Sequence, residues 1–192
     1  MDQKALRQQL RKRRQSLSQE QQRVAQGQLG QLICSLTVFQ ESQHIALYLA
    51  NDGEISPAAI AEAAWQQGKT CYLPVIDTPH KGDMYFLPFE SDTPMQNNTY
   101  GIPEPQRPDT MICKAEKLDL ILLPLTGFDE KGHRMGMGGG YYDRALAFTT
   151  SQKNPQKPLL IGLAHECQKV EKLVVNIWDI SLAGIATDQC FY

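Results

Sequence analysis

The sequence predicts an α/β fold: a three-layer sandwich around a mainly parallel sheet, in a single domain over residues 1–192. Three observations predict it. Strand-like apolar runs alternate with helix-like segments, the pattern that feeds a parallel sheet through helical crossovers. The run from Leu118 to Pro124 is nearly continuously apolar, as expected of a strand covered on both faces. A chain of 192 residues is long enough to bury a substantial core and short enough for one domain.

The elements follow in order. Lys4 to about Leu17 is helix-prone and strongly basic; Lys4, Arg7, Arg11 and Arg14, spaced by three and four, share one helical face. Ser18 and Gln21 resemble a capping box for a second helix running to about Ser35. His44 to Ala50 reads as a strand. Ser56 and Pro57 look like N-cap and N1 of a helix that Gly68 ends. Thr70 to Val75 and Met84 to Phe89 read as strands joined by a turn around 77–82. Residues 90–116, rich in Pro, Asn, Asp and Thr, read as a long loop of the kind that is functional or disordered. After the Leu118–Pro124 strand come a helix from Tyr141 to about Thr150, a strand at Leu159–Ala164 and a short strand at Ala183–Thr187.

Composition narrows the function. Hydrophobic content is 42%, charged content 21% and net charge −2, which argues against a general nucleic-acid or membrane binder. No apolar run is long enough to span a bilayer, and the polar, basic N-terminus has no signal-peptide core. The five cysteines are scattered and form no CxxC pair, so neither a disulfide framework nor a zinc site is expected. A reduced, cytoplasmic setting and a monomer are the expectations.

Residues 134–143, Arg-Met-Gly-Met-Gly-Gly-Gly-Tyr-Tyr-Asp, carry the strongest functional signal. Gly136, Gly138, Gly139 and Gly140 allow positive φ and close approach of a ligand to bare backbone. Their amides can converge on an anion, and a glycine loop between a strand and a helix is a ready phosphate site. Arg134 can bind phosphate and Asp143 can hold a metal ion. A flexible hairpin is the plainer alternative. The loop matches neither a Walker A motif nor a dinucleotide fingerprint.

Other residues keep two readings open. Lys4 and Arg7 either belong to a solvated charge face or fold over the glycine loop to neutralise phosphate; Arg11 to Arg14 are expected to stay solvated. Glu54, in Asp-Gly-Glu after the first strand, is either a turn acid or a carboxylate for a ligand N–H. Asp129 and Glu130 fit a simple hairpin turn. Asp143 and Asp179 are candidates for Mg²⁺, which prefers a few carboxylates with phosphate oxygens and water. Asp179 alone reads as a turn residue, and His165 as a satisfied structural histidine. Three segments, 51–54, 126–142 and 165–166, sit at strand ends, where ligands bind in open α/β sheets.

Leu123-Pro-Leu-Thr-Gly-Phe-Asp129 followed by Arg134 to Arg144 closely resembles the 5-formyltetrahydrofolate cyclo-ligase family, also called 5,10-methenyltetrahydrofolate synthetases. The resemblance covers nearly the whole chain. It includes Lys4-x-x-Arg7, Leu49 with Glu54, Tyr100-Gly-Ile-Pro103, and Glu171 to Asp179. It implies a three-layer α/β fold, ATP and Mg²⁺ dependence, and a folate substrate. By resemblance, ATP is held by Lys4, Arg7, Arg134, Met135, Gly136, Met137, Gly138, Gly139, Gly140, Tyr141 and Tyr142. Folate is held by Leu49, Glu54, Tyr100 and the segment Met137 to Tyr141, and Mg²⁺ by Asp143 and Asp179. Lys4, Arg134 and Tyr142 are implied to be catalytic. Some members carry lysine where this chain has Gly139, and an acid where it has Gly53. The implied reaction converts 5-formyltetrahydrofolate to 5,10-methenyltetrahydrofolate with ADP and phosphate, through a phosphorylated formyl intermediate. A nucleotide or sugar-phosphate binding module, and an RNA-associated protein led by the basic helix, are the competing classes.

Overall fold

The computed structural model describes residues 2–77, 83–99, 101–106, 108–151, 158–174 and 179–192. The first two helices are α1 (Gln3–Gln15) and α2 (Gln19–Ser35). The capping box at Ser18 forms as expected: Ser18 Oγ accepts from the Gln21 amide, and Gln21 Oε1 accepts from the Ser18 amide. A short helix not expected from the sequence, α3 (Thr37–Glu41), places the buried Phe39 under the sheet.

Among the described residues the main sheet has six strands: β1 (His44–Ala46), β2 (Thr70–Asp77), β3 (Asp83–Phe89), β6 (Leu120–Pro124), β9 (Leu159–Leu163) and β10 (Gly184–Ala186). The intervening β4 (Met95–Asn97) pairs with β5 (Pro103–Pro105), and β7 (Gly127–Phe128) with β8 (Arg134–Met135). The main sheet runs β10-β9-β6-β1-β2-β3, with all pairs parallel except β2–β3.

Side chains alternate between the two sheet faces, as pleating requires. Ile45, Leu47, Leu120 and Leu122 join the cluster of α2, α3 and α4 (Ala58–Gln66). Ala46, Ile121 and Leu123 join the opposite cluster, with Leu146, Phe148 and Ile180. Leu146 and Phe148 belong to α5 (Tyr141–Ala145), its C-cap and α6 (Phe148–Ser151). These two clusters make the three layers.

Several boundaries differ from the sequence expectation. The helix after β1 starts at Ala58 with Pro57 as N-cap, one position later than expected; Ser56 Oγ accepts from the Ala58 amide instead. The helix expected over Tyr141 to Thr150 is two short helices with a turn at Leu146–Ala147. The loop 90–116 contains the β4–β5 hairpin and two 3-10 turns, Asp109–Met111 and Ala115–Lys117. Glu104 on that hairpin is buried, and its Oε1 accepts from the Ile76 amide at 3.1 Å and Asn98 Nδ2 at 2.8 Å, fastening the hairpin to β2. Part of the turn expected at 77–82 lies outside the described residues.

Candidate active site

The sheet order fixes where a ligand can enter. From β1 the chain crosses through α4 on one face to β2; from β6 it crosses through α5 and α6 on the other face to β9. The direction of winding therefore reverses between β1 and β6, the switch point where crevices form at strand carboxyl ends. β1 and β6 pair over only two residues, Ile45↔Leu120 and Ala46↔Ile121. Beyond them, Tyr48 and Leu49 on one side and Leu123 and Pro124 on the other line a cavity of about 560 Å³. That is large enough for a drug-sized or cofactor-sized molecule.

One wall is the turn after β1. Asp52 (φ 53°) and Gly53 (φ 75°) are consecutive left-handed residues. Asn51 stabilises them: its Oδ1 accepts from the Asp52 amide at 2.9 Å and its carbonyl from the Glu54 amide at 3.0 Å. Glu54 lines the cavity, with its Oε2 accepting from the Asn51 amide at 3.1 Å. Burial pushes the Glu54 carboxyl above its ordinary range, and the nearby Arg14 guanidinium opposes that shift.

The opposite wall is the glycine loop. Asp129 forms the expected hairpin turn: its Oδ1 accepts from the Lys131 and His133 amides, and its Oδ2 accepts from the Leu173 amide at 2.9 Å and lies 2.9 Å from the His133 ring Nδ1. This hairpin of β7 and β8 delivers Arg134, and the loop 136–140 follows. Gly138 (φ 100°) and Gly140 (φ 65°) take backbone conformations that L side chains rarely adopt. Gly136, Met137, Gly139, Gly140, Tyr141 and Tyr142 reach the cavity. Burial, with the charge of Glu54 second, raises the Tyr142 phenol far above its ordinary value, so it stays protonated and can donate.

Arg7 of α1 folds over this loop: its Nε donates to the Gly136 carbonyl at 2.9 Å, and its guanidinium carbon lies 3.5 Å from where a Gly138 Cβ would stand. Lys4 is exposed on the same helix. Arg134 Nη2 bonds Asp143 Oδ1, and Nη1 donates to the Ile180 carbonyl. Asp143 and Asp179 line the same cavity. Met135 is buried behind the loop against Leu10 and Leu173. Among the described residues no three His, Cys, Asp or Glu side chains cluster as a metal cage. Two cavity carboxylates are still a chemically apt donor set for a hard cation that shares its remaining sites with phosphate oxygens and water. Tyr100 lies outside the described residues, as do residues 175–178.

Two expectations need correction. Of the segment expected to stay solvated, Lys12 and Arg13 are exposed and Arg11 keeps 41% of its side chain exposed, but Arg14 is buried. Arg11 Nε bonds Asp52 Oδ2 at 2.7 Å, and Arg14, with no exposed surface, bonds the same oxygen through Nη2 at 2.9 Å. Arg7, Arg11 and Arg14 lie on one face of α1, which packs on both cavity walls, so the spacing that places Arg7 on the glycine loop also brings Arg11 and Arg14 to Asp52. His165 is buried, but its Nε2 has no hydrogen-bond partner among the described residues, and burial keeps the ring neutral. The sequence also gave no sign that the β4–β5 hairpin would bring Asn98, Ile102 and Glu104 to the cavity.

Asp52 makes a pH prediction. Hydrogen bonding from Arg11, with Arg14 and Gln15, holds its carboxyl down to about 2. A carboxylate whose folded value is depressed adds stability above its unfolded value of about 3.9, and that stability disappears as pH falls toward the folded value. Asp52→Asn keeps the shape and tolerates left-handed φ. Its destabilisation, measured by urea unfolding, is therefore expected at neutral pH and should shrink steadily between about pH 4 and pH 2. A pH-independent difference contradicts the ion-pair account.

A doubly wound α/β sheet with two chemically different walls facing one switch-point cavity defines a small-molecule-binding protein of the open-sheet class. Residues 1–188 match the 5-formyltetrahydrofolate cyclo-ligase family. A 5-formyltetrahydrofolate cyclo-ligase of Haemophilus influenzae is 39% identical over 94% of this chain and 94% of its own length. That of Escherichia coli is 35% identical over 93% and 96%. The 5,10-methenyltetrahydrofolate synthetase structure from Aquifex aeolicus superposes with a TM-score of 0.82 at 27% identity, covering 100% of this chain and 92% of that one. The Mycoplasma pneumoniae synthetase gives 0.76 at 25%, covering 98% and 100%. The chain belongs to the 5-formyltetrahydrofolate cyclo-ligase family, and is a ligase. No helix among the described residues is long and apolar enough to cross a membrane.

Proposed function

We propose that this chain converts 5-formyltetrahydrofolate to 5,10-methenyltetrahydrofolate with consumption of ATP, at the cavity between the Glu54 turn and the glycine loop. The observation that carries the reading is that both walls line one cavity, so a folate and a nucleotide phosphate can meet there. The N-formyl oxygen is a poor leaving group. Its attack on the γ-phosphate of ATP forms an iminium phosphate and ADP; N10 then adds to the activated carbon and closes the ring, its proton passes to solvent, and departure of phosphate leaves the methenyl group.

Such a reaction needs positioning and charge neutralisation rather than a protein nucleophile. The amides of 136–140 cradle phosphate oxygens, with Lys4, Arg7 and Arg134 as the nearby cations. Arg7 and Arg134 are already fixed by the Gly136 and Ile180 carbonyls, so little side-chain freedom is lost on binding. Glu54 accepts an N–H from the pterin end of the folate, over the apolar floor of Tyr48, Leu49 and Leu123. Tyr142 donates its retained phenol proton as a hydrogen bond. Asp143 and Asp179 would hold Mg²⁺, which would supply charge neutralisation for the phosphates. Asp143 would then serve both the ion and Arg134, its partner in the structure.

Purified protein with ATP, Mg²⁺ and 5-formyltetrahydrofolate is expected to produce the methenyl chromophore, one ADP per turnover. ATP binding without any chromophore sinks the reading in favour of a nucleotide-binding module. The reading also places the protein among small-molecule enzymes working in the cytoplasm as a monomer, without nucleic acid.

A further inference from the structure

Arg14 lies behind the cavity wall rather than in it. Its side chain has no exposed surface, and it is not among the residues that line the cavity. The hydrogen bonds and ion pairs of its guanidinium reach segments that build the walls. Nε donates to the Asp52 carbonyl at 2.8 Å, and Nη2 to Asp52 Oδ2 at 2.9 Å. Nη2 also stands 3.6 Å from Glu54 Oε1. Nη1 donates to the Leu125 carbonyl at 3.3 Å, at the exit of β6, and Nη2 lies 3.7 Å from Met137 Sδ in the glycine loop. One guanidinium thus joins α1, the left-handed turn and the start of the second wall.

We propose that Arg14 is a positioning residue of the reaction: it holds the Glu54 carboxylate charged and aimed into the cavity by clamping the 51–54 turn, and itself touches no substrate. This rests on the reading that Glu54 binds the folate. Stability alone does not account for a fully buried guanidinium, since well-packed apolar replacements of buried ion pairs are often neutral or stabilising. A fork that spans two backbone carbonyls and two carboxylates supplies direction, which neither lysine nor an apolar side chain reproduces.

The groups facing Glu54 are Arg14 and Arg11 from α1, Asp52 and the Asn51 amide from its own turn, Tyr48 from the end of β1 and Tyr142 from α5. The two arginines favour the carboxylate; burial and Asp52 disfavour it. Beneath the turn, His165 faces Arg14 and Asp188 and is kept neutral by burial. Removing the Arg14 charge therefore raises the Glu54 value further, and the ionised fraction is lost at a higher pH.

The experiment compares Arg14→Met, Arg14→Lys, Glu54→Gln and the double variant Arg14→Met/Glu54→Gln, with folding checked by circular dichroism. Arg14→Met is expected to raise the KM for 5-formyltetrahydrofolate about tenfold, leave the ATP KM within about twofold, and move the acid limb of kcat/KM to higher pH. Arg14→Lys keeps a charge, so its limb stays near the parent's while the folate KM rises less. In the Glu54→Gln background, Arg14→Met is expected to add less than about twofold, because the group it acts through is gone. Equal rises in both KM values, an unmoved acid limb, or additive effects overturn the proposal. If Arg14→Met does not fold, Arg14→Lys decides: it must raise the folate KM in the native background and not beside Glu54→Gln. If Glu54→Gln alone leaves folate KM and turnover unchanged, the folate assignment fails. If Glu54→Gln impairs folate use and neither Arg14 variant does, only the present inference fails.

Discussion

Gly138→Val is expected to abolish ATP binding in a chain that still folds. Gly138 has φ 100°, and a β-branched residue there is strained whatever the space around it. The new side chain also points at the Arg7 guanidinium, 3.5 Å from the would-be Cβ. The variant thus both turns the loop amides away from phosphate and displaces a cation. Losing two or more charge-assisted contacts, at roughly 1.5–3 kcal/mol each, lowers affinity by more than about a hundredfold. Gly138 is exposed, so the core clusters on either side of the sheet are untouched. Gly140→Val, at φ 65° and with its Cβ 2.9 Å from Arg144 Nη1, is expected to behave alike. Calorimetry with ATP beside a far-ultraviolet spectrum makes the check; unchanged affinity in a folded variant removes the phosphate role from this loop.

The second large effect separates two carboxylates. Asp143→Asn keeps the shape and removes a hard anionic donor, so the Mg²⁺ concentration for half-maximal rate is expected to rise about tenfold or more, the value of one contact to a charged group. It also leaves Arg134, whose side chain is only 9% exposed, without its carboxylate. Glu54→Gln, on the other wall, is expected to raise the folate KM or lower turnover while the Mg²⁺ requirement stays put. Titrating Mg²⁺ and folate for both variants decides. If Glu54→Gln shifts the metal requirement and Asp143→Asn does not, the assignments are reversed.

The layers and most strands were legible in the sequence because apolar periodicity and glycine punctuation are local signals. The continuous run around Leu120–Pro124 and the capping box at Ser18 formed where expected. So did the positive φ of the glycine loop. What stayed hidden depends on partners distant in sequence. Arg14 looked like a surface cation until Asp52, 38 residues away, and Leu125, 111 residues away, took its donors. Residues 90–116 looked structureless because β4 and β5 are three residues each and their anchor, Glu104, reaches across to Ile76. The end of β1 was overestimated because apolar residues continue to Leu49 while ladder pairing with β6 stops at Ala46. There the residues line a cavity instead of a neighbouring strand.

The attachment of α1 has a consequence for how the protein is made. Its bonds reach the Leu125, Gly136 and Cys167 carbonyls, 111, 129 and 154 residues downstream. Leu10 packs with Met135 and Leu173. A ribosome delivers this helix first and all of those partners much later. The helix therefore waits until these partners are made with an apolar seam and a buried cation unmet, and closing so long a loop is entropically slow to reward. Both cavity walls lean on it, so ligand binding is acquired only after the segment to Leu173 is made, and nascent chains halted before about residue 173 should be inert and open to proteases around α1.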